Sequence, residues 1–134
     1  MFAAMLLVIS IVALSQFALY YWRAVLAGVA AQPVSPRVLE AAHVEGGYPS
    51  ASDFEALAGL HDLTPELQPT RGGLSLVRAY FRTIAAIEGV FGRSLPAVAA
   101  WGQRERAICA RYAAVQIDRR LQANLELAAS LRSC

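Results

Sequence analysis

Reactive side chains are scarce in this chain. It holds two histidines and two cysteines, and all twelve of its basic residues are arginine. His43 and Glu45 precede the Gly46-Gly47 pair, and His61 and Asp62 sit where a short helix should end. If the two segments met, their imidazoles and carboxylates could hold a divalent cation, the basis of a metal- or small-ligand-binding sensor or enzyme. The two histidines are 18 residues apart, a spacing with no ligand signature. Solvated or hydrogen-bonded polar residues are therefore the preferred reading, with no metal, no cofactor and no catalytic residue assigned.

Cys109 beside a histidine would make a nucleophilic dyad. A cysteine inside a helix next to Ile108 reads instead as a small buried hydrophobe in a reduced compartment. Cys134 is the last residue, and a bridge between two such residues needs an oxidising space. The absence of lysine removes the phosphate-loop, Schiff-base and Ser-Lys chemistries. The sequence has no G-x-G-x-x-G, G-x-S-x-G, H-E-x-x-H or C-x-x-C. A net charge of +2 is too small for a nucleic-acid partner. Arg104, Arg106, Arg111, Arg119 and Arg120 could meet anionic lipid headgroups. The interspersed Glu105, Asp118 and Glu126 make them read as an ordinary solvated face.

The 134 residues are 57% hydrophobic with a mean hydropathy of +0.42. Much of that surplus lies in residues 1–31. Phe2 to Trp22 carry no charge, and as a helix they span roughly 31 Å, the thickness of a bilayer core. Tyr20, Tyr21, Trp22 and Arg23 close the run as interfacial aromatics followed by a cation, the expected membrane-interface anchors. A cleaved signal peptide ending at Val29-Ala30-Ala31, and hence an exported helical protein, is the alternative. The run lacks a basic start and is long for a signal core, so an anchor is preferred. Arg23 and Arg37 on the C-terminal side place the rest of the chain in the cytoplasm by the positive-inside rule. Gln16 and the Ala24-x-x-x-Gly28 pair could mark a helix–helix contact, although both are tolerated in a lone span.

Gln32 to Pro36 reads as a linker, leaving residues 37–134 for one small helical domain with one core. Ser35-Pro36 suits a helix start, with a short helix over Arg37 to His43. Ser52 and Glu55 have capping-box spacing ahead of a helix from Asp53 to about His61. Thr64-Pro65-Glu66 looks like a further turn. Leu74, Val77, Tyr80, Phe81, Ile84, Ile87 and Phe91 form a helical stripe that stops at Gly92. Pro96 opens a long helix to about Arg132. Its first half presents Val98, Trp101, Ile108, Tyr112 and Val115, and its second half Ile117, Leu121, Leu125, Ala128 and Leu131. These stripes lie nearly opposite one another. Either different neighbours cover the two ends, or one stripe meets another protein.

The expected architecture is all-α: a single N-terminal transmembrane helix (1–31), a linker (32–36) and a small helical domain (37–134) ending in an antiparallel helix pair. The expected function is a non-catalytic, membrane-tethered interaction or accessory module. Its partners are the lipid bilayer and a second copy or another membrane protein, met through Ile117, Leu121, Leu125 and Leu131.

Overall fold

The computed structural model describes residues 2–41, 52–64 and 74–133. Five helices follow in order: α1 Phe2–Ala30, α2 Pro36–Ala41, α3 Asp53–Leu63, α4 Leu74–Phe91 and α5 Pro96–Arg132. No strand occurs among the described residues. The chain is therefore all-α, led by a helix long and apolar enough to cross a membrane.

The long last helix is the hub. α1, α2, α3 and α4 all pack on α5. From Cys109 to Asp118 only Arg111 and Gln116 are more than marginally exposed, so the helix is enclosed on every side at its midpoint. That arrangement explains the two opposed stripes: different neighbours cover different faces. Small residues allow it. Ala110, Ala113 and Ala114 are fully buried and let neighbouring helices approach closely. Gly102 does the same where α4 crosses, since a Cβ there would lie 2.8 Å from a carboxylate oxygen of Glu88. Phe54 of α3 and Phe81 of α4 stack with ring centroids 4.2 Å apart, closing the core over α5.

α4 and α5 are joined by Gly92–Leu95. Contacts between them run in opposed order: Glu88 meets Gly102 and Arg106, Tyr80 meets Glu105, and Leu74 and Arg78 share a cleft with Arg120. This order is consistent with an antiparallel pair. The turn is tied by the Gly92 N–H donating to the Glu88 carbonyl at 2.7 Å and the Leu95 N–H to Phe91 at 2.9 Å. Leu95 is extended, and Pro96 occupies the first turn of α5, where its missing N–H costs nothing.

Two local expectations change. Ser52 adopts helical angles and makes no side-chain cap, so the Ser52–Glu55 capping box does not form. Nor is the boundary after residue 31 a clean one. Leu26, Ala30 and Val38 are buried, and Val34 packs against the same core. The last turns of α1 and the short 32–36 connection therefore belong to the packed body. The turn of helix expected at Thr64–Glu66 lies mostly outside the described residues.

Candidate membrane junction and interaction face

α1 changes character at one point. Phe2 to Tyr21 are exposed throughout, and Ser15 satisfies its hydroxyl by donating to the Ile11 carbonyl at 2.7 Å. From Trp22 on, one side of the helix is covered. Trp22 and Val29 pack against the core, and Leu26 and Ala30 lie inside it. Of the expected interface anchors, Tyr20 and Tyr21 are open on every side, whereas Trp22 and Arg23 turn toward α5. Gly28 has open space where a Cβ would stand, so the Ala24/Gly28 face points away from the body.

Arg23 is the polar centre of this junction. Its Nη2 donates to Oε1 of Glu105, whose side chain is 3% exposed. The Tyr80 hydroxyl donates to the other carboxylate oxygen at 3.1 Å. Glu105 would be a costly buried charge alone, and two elements satisfy it. Burial and the adjacent Glu105 charge push the Tyr80 hydroxyl up to about 12. The same two causes push the Cys109 thiol up to about 12. Cys109 is fully buried and free, so it is an inert packing residue with no thiolate at neutral pH.

The expected solvated face on α5 is corrected here. Glu105, Asp118 and Arg120 are buried. Nη2 of Arg106 donates to Oε1 of Glu88 at 3.0 Å and lies 2.9 Å from Oε2. Arg120 donates to the carbonyls of His61 and Thr64, both at 3.3 Å, and Arg78 donates to the carbonyl of Ala58 at 2.8 Å. Two arginines from other helices thus cap the C-terminal end of α3, where unpaired carbonyls and the helix dipole favour cations. Glu105, Asp118 and Arg120 therefore have protein groups for partners, while Arg104, Arg119 and Glu126 stay exposed as expected.

Of the four residues considered for a metal, His43 and Glu45 lie outside the described residues. Asp62 accepts from Arg78 at 2.7 Å, and that bond holds its carboxyl below the usual carboxylate range. His61 is lowered from its ordinary value by burial first and by the Arg120 charge second. Among the described residues no group of three or more His, Cys, Asp and Glu gathers. His61 and Asp62 line an open cleft of about 510 Å³ with Arg78, Arg82 and Arg120.

The expected interaction face divides. Ile117 is fully buried beneath the surrounding helices and cannot meet another chain; that part of the expectation is corrected. Leu121 is half-buried against the core. Leu125 and Leu131 are 61% and 71% exposed on the end of α5 that runs past the other helices. Leu121 and Leu125, with Val38 of α2, line a mainly apolar cleft of about 390 Å³.

The sequence reading missed Glu105 as the partner of Arg23. A signal was present: Trp101, Glu105, Ile108 and Tyr112 fall on one helical stripe, so a carboxylate interrupts an apolar face. No family model, curated protein or solved structure matches the chain.

Proposed function

We propose that this chain is a single-pass, membrane-tethered helical module that acts by interaction rather than catalysis. Residues 2–21 are the span. Trp22 to Ala30 continue the same helix out of the bilayer and fix the body against the membrane surface without a loose hinge. The observation that carries the reading is the junction itself: α1 is apolar and uncovered up to Tyr21, then becomes a packed wall of the core at Trp22–Arg23.

The same junction argues against a removed signal peptide. Cleavage after Ala31 would take away Leu26 and Ala30 from the core and leave Glu105 buried without its arginine. Losing that half-exposed partner costs the buried carboxylate about 1–3 kcal/mol. The body lies on the cytoplasmic side in this reading, since Arg23 and Arg37 closely follow the span.

The working surface is the projecting end of α5, where Leu121, Leu125 and Leu131 stay available to a second copy or to another membrane protein. Crosslinking in native membranes should give one discrete adduct, and Leu121→Glu with Leu125→Glu should abolish it. A strict monomer in mild detergent, with crosslinking unaltered by those changes, would refute this assignment.

A further inference from the structure

A second apolar surface lies at the opposite end of α5. Around the α4–α5 turn, Ile87, Val90, Phe91 and Leu95 are 38%, 69%, 52% and 51% exposed. The stretch Gly89 to Gly102 reads GVFGRSLPAVAAWG and carries one charge, Arg93. A helical hairpin tip in water is ordinarily polar; four neighbouring large hydrophobics mark a contact surface.

Its location in the fold identifies the contact. Arg23 of α1 meets Glu105 of α5, and Gln32, just past α1, accepts from Arg119 at 2.5 Å. The contacts advance together, so α1 and α5 run in the same direction where they touch. Moving backward along α5 from Glu105 therefore leads toward the side from which the span comes. Pro96 lies nine residues back, about 14 Å along the helix axis. At any crossing angle short of perpendicular, the turn lies on the lipid side of Arg23.

We propose that the α4–α5 turn is a second membrane contact, with Val90, Phe91 and Leu95 in the interfacial edge of the leaflet from which α1 emerges. The proposal rests on α1 being a membrane span. Arg93 on the turn is exposed, and its long stem can reach lipid phosphates while the chain around it stays apolar. Glu88 would be unwelcome at that depth, but the Arg106 guanidinium pairs with it at 2.9 Å. The body thus meets the bilayer at two points, the emerging helix and the hairpin tip, which fixes its tilt as well as its tether. Leu125 and Leu131 are left facing away from the membrane.

The test is fluorescence depth-quenching on the full-length chain in mixed phosphatidylcholine–phosphatidylglycerol vesicles. In a Cys134→Ser background, with Cys109 buried and unreactive, an environment-sensitive probe is placed in turn by Ile9→Cys, Val90→Cys and Leu131→Cys. Probes at residues 9 and 90 should both be quenched by nitroxide carried on lipid acyl chains and shielded from aqueous iodide. The probe at 131 should show the reverse. A residue-90 probe that behaves like residue 131 while residue 9 stays lipid-buried would overturn the second contact and leave the tether standing. An aqueous signal from residue 9 would overturn the tether, and this inference with it.

Discussion

The first two thirds of α1 and its last third are built from nearly the same residues, yet they face different surroundings. Phe2–Tyr21 and Trp22–Ala30 are both predominantly apolar, and neither composition favours water. The first is exposed throughout among the described residues, and the proposed bilayer would cover it; the second is covered by entering a core. Apolar composition says that a segment avoids water but not which dry phase receives it. The polar groups decide. Arg23, with Glu105 and Tyr80 waiting on α5 and α4, fixes the point at which α1 joins the core and, in the proposed reading, leaves lipid.

The bluntest way to break this comparison is to remove residues 1–31. If Trp22–Ala30 are part of the core, the remaining chain should lose cooperative thermal unfolding, since several buried contacts and a charge partner vanish together. A sharply melting fragment would show that the wall formed by the end of α1 is dispensable. Leu26→Ala is the finer version. It should lower stability by about 2–5 kcal/mol, the usual cost of a truncated core leucine, whereas Leu7→Ala should leave unfolding of the body unchanged. Denaturant titration in mild detergent compares the two.

Arg23→Ala comes next. It leaves Glu105 buried with Tyr80 alone, and because Arg23 is half exposed the cost should be about 1–3 kcal/mol. Adding Glu105→Gln should recover part of that loss. If the double change is as damaging as the sum of the two, the pair is not coupled.

The smallest effects are in pH. His61 has a lowered folded value, so its neutral form is favoured in the native state. The contribution is complete above 6.5 and is lost as pH falls below it; Asp62 adds a loss of the same sign below 3.8. Tyr80 and Cys109 are raised, so their contribution is complete below the ordinary thiol value of 9.0 and fades as pH climbs toward about 12. His61→Gln should flatten the melting temperature between pH 7 and the acid range, and Tyr80→Phe should flatten part of the alkaline limb.

Much of this fold is legible along the chain because helix punctuation is local. Pro96 and Gly92 announce the ends of α5 and α4, and the stripe from Leu74 to Phe91 needs no partner to be recognised. The long apolar helix is legible because its uncharged run lies in one continuous stretch of sequence. The junction was harder to see because its chemistry joins residues 23, 80 and 105, which no local window contains. Charge alternation on α5 looked like a solvated face for the same reason. The helices that cover Glu105, Asp118 and Arg120 come from distant parts of the chain, and only their packing shows that these charges are internal. Ile117 shares a stripe with Leu125 and Leu131, but it lies in the core where other helices pack on α5, whereas those two are 61% and 71% exposed.

One measurement bears most directly on the claim that α1 is a single uncut helix shared between lipid and core. Membranes from expressing cells are washed with alkaline carbonate, and the intact mass of the protein is read from pellet and supernatant. The account predicts the full 14.4 kDa chain, retained in the pellet. A shortened species beginning near Gln32 and released to the supernatant would contradict it.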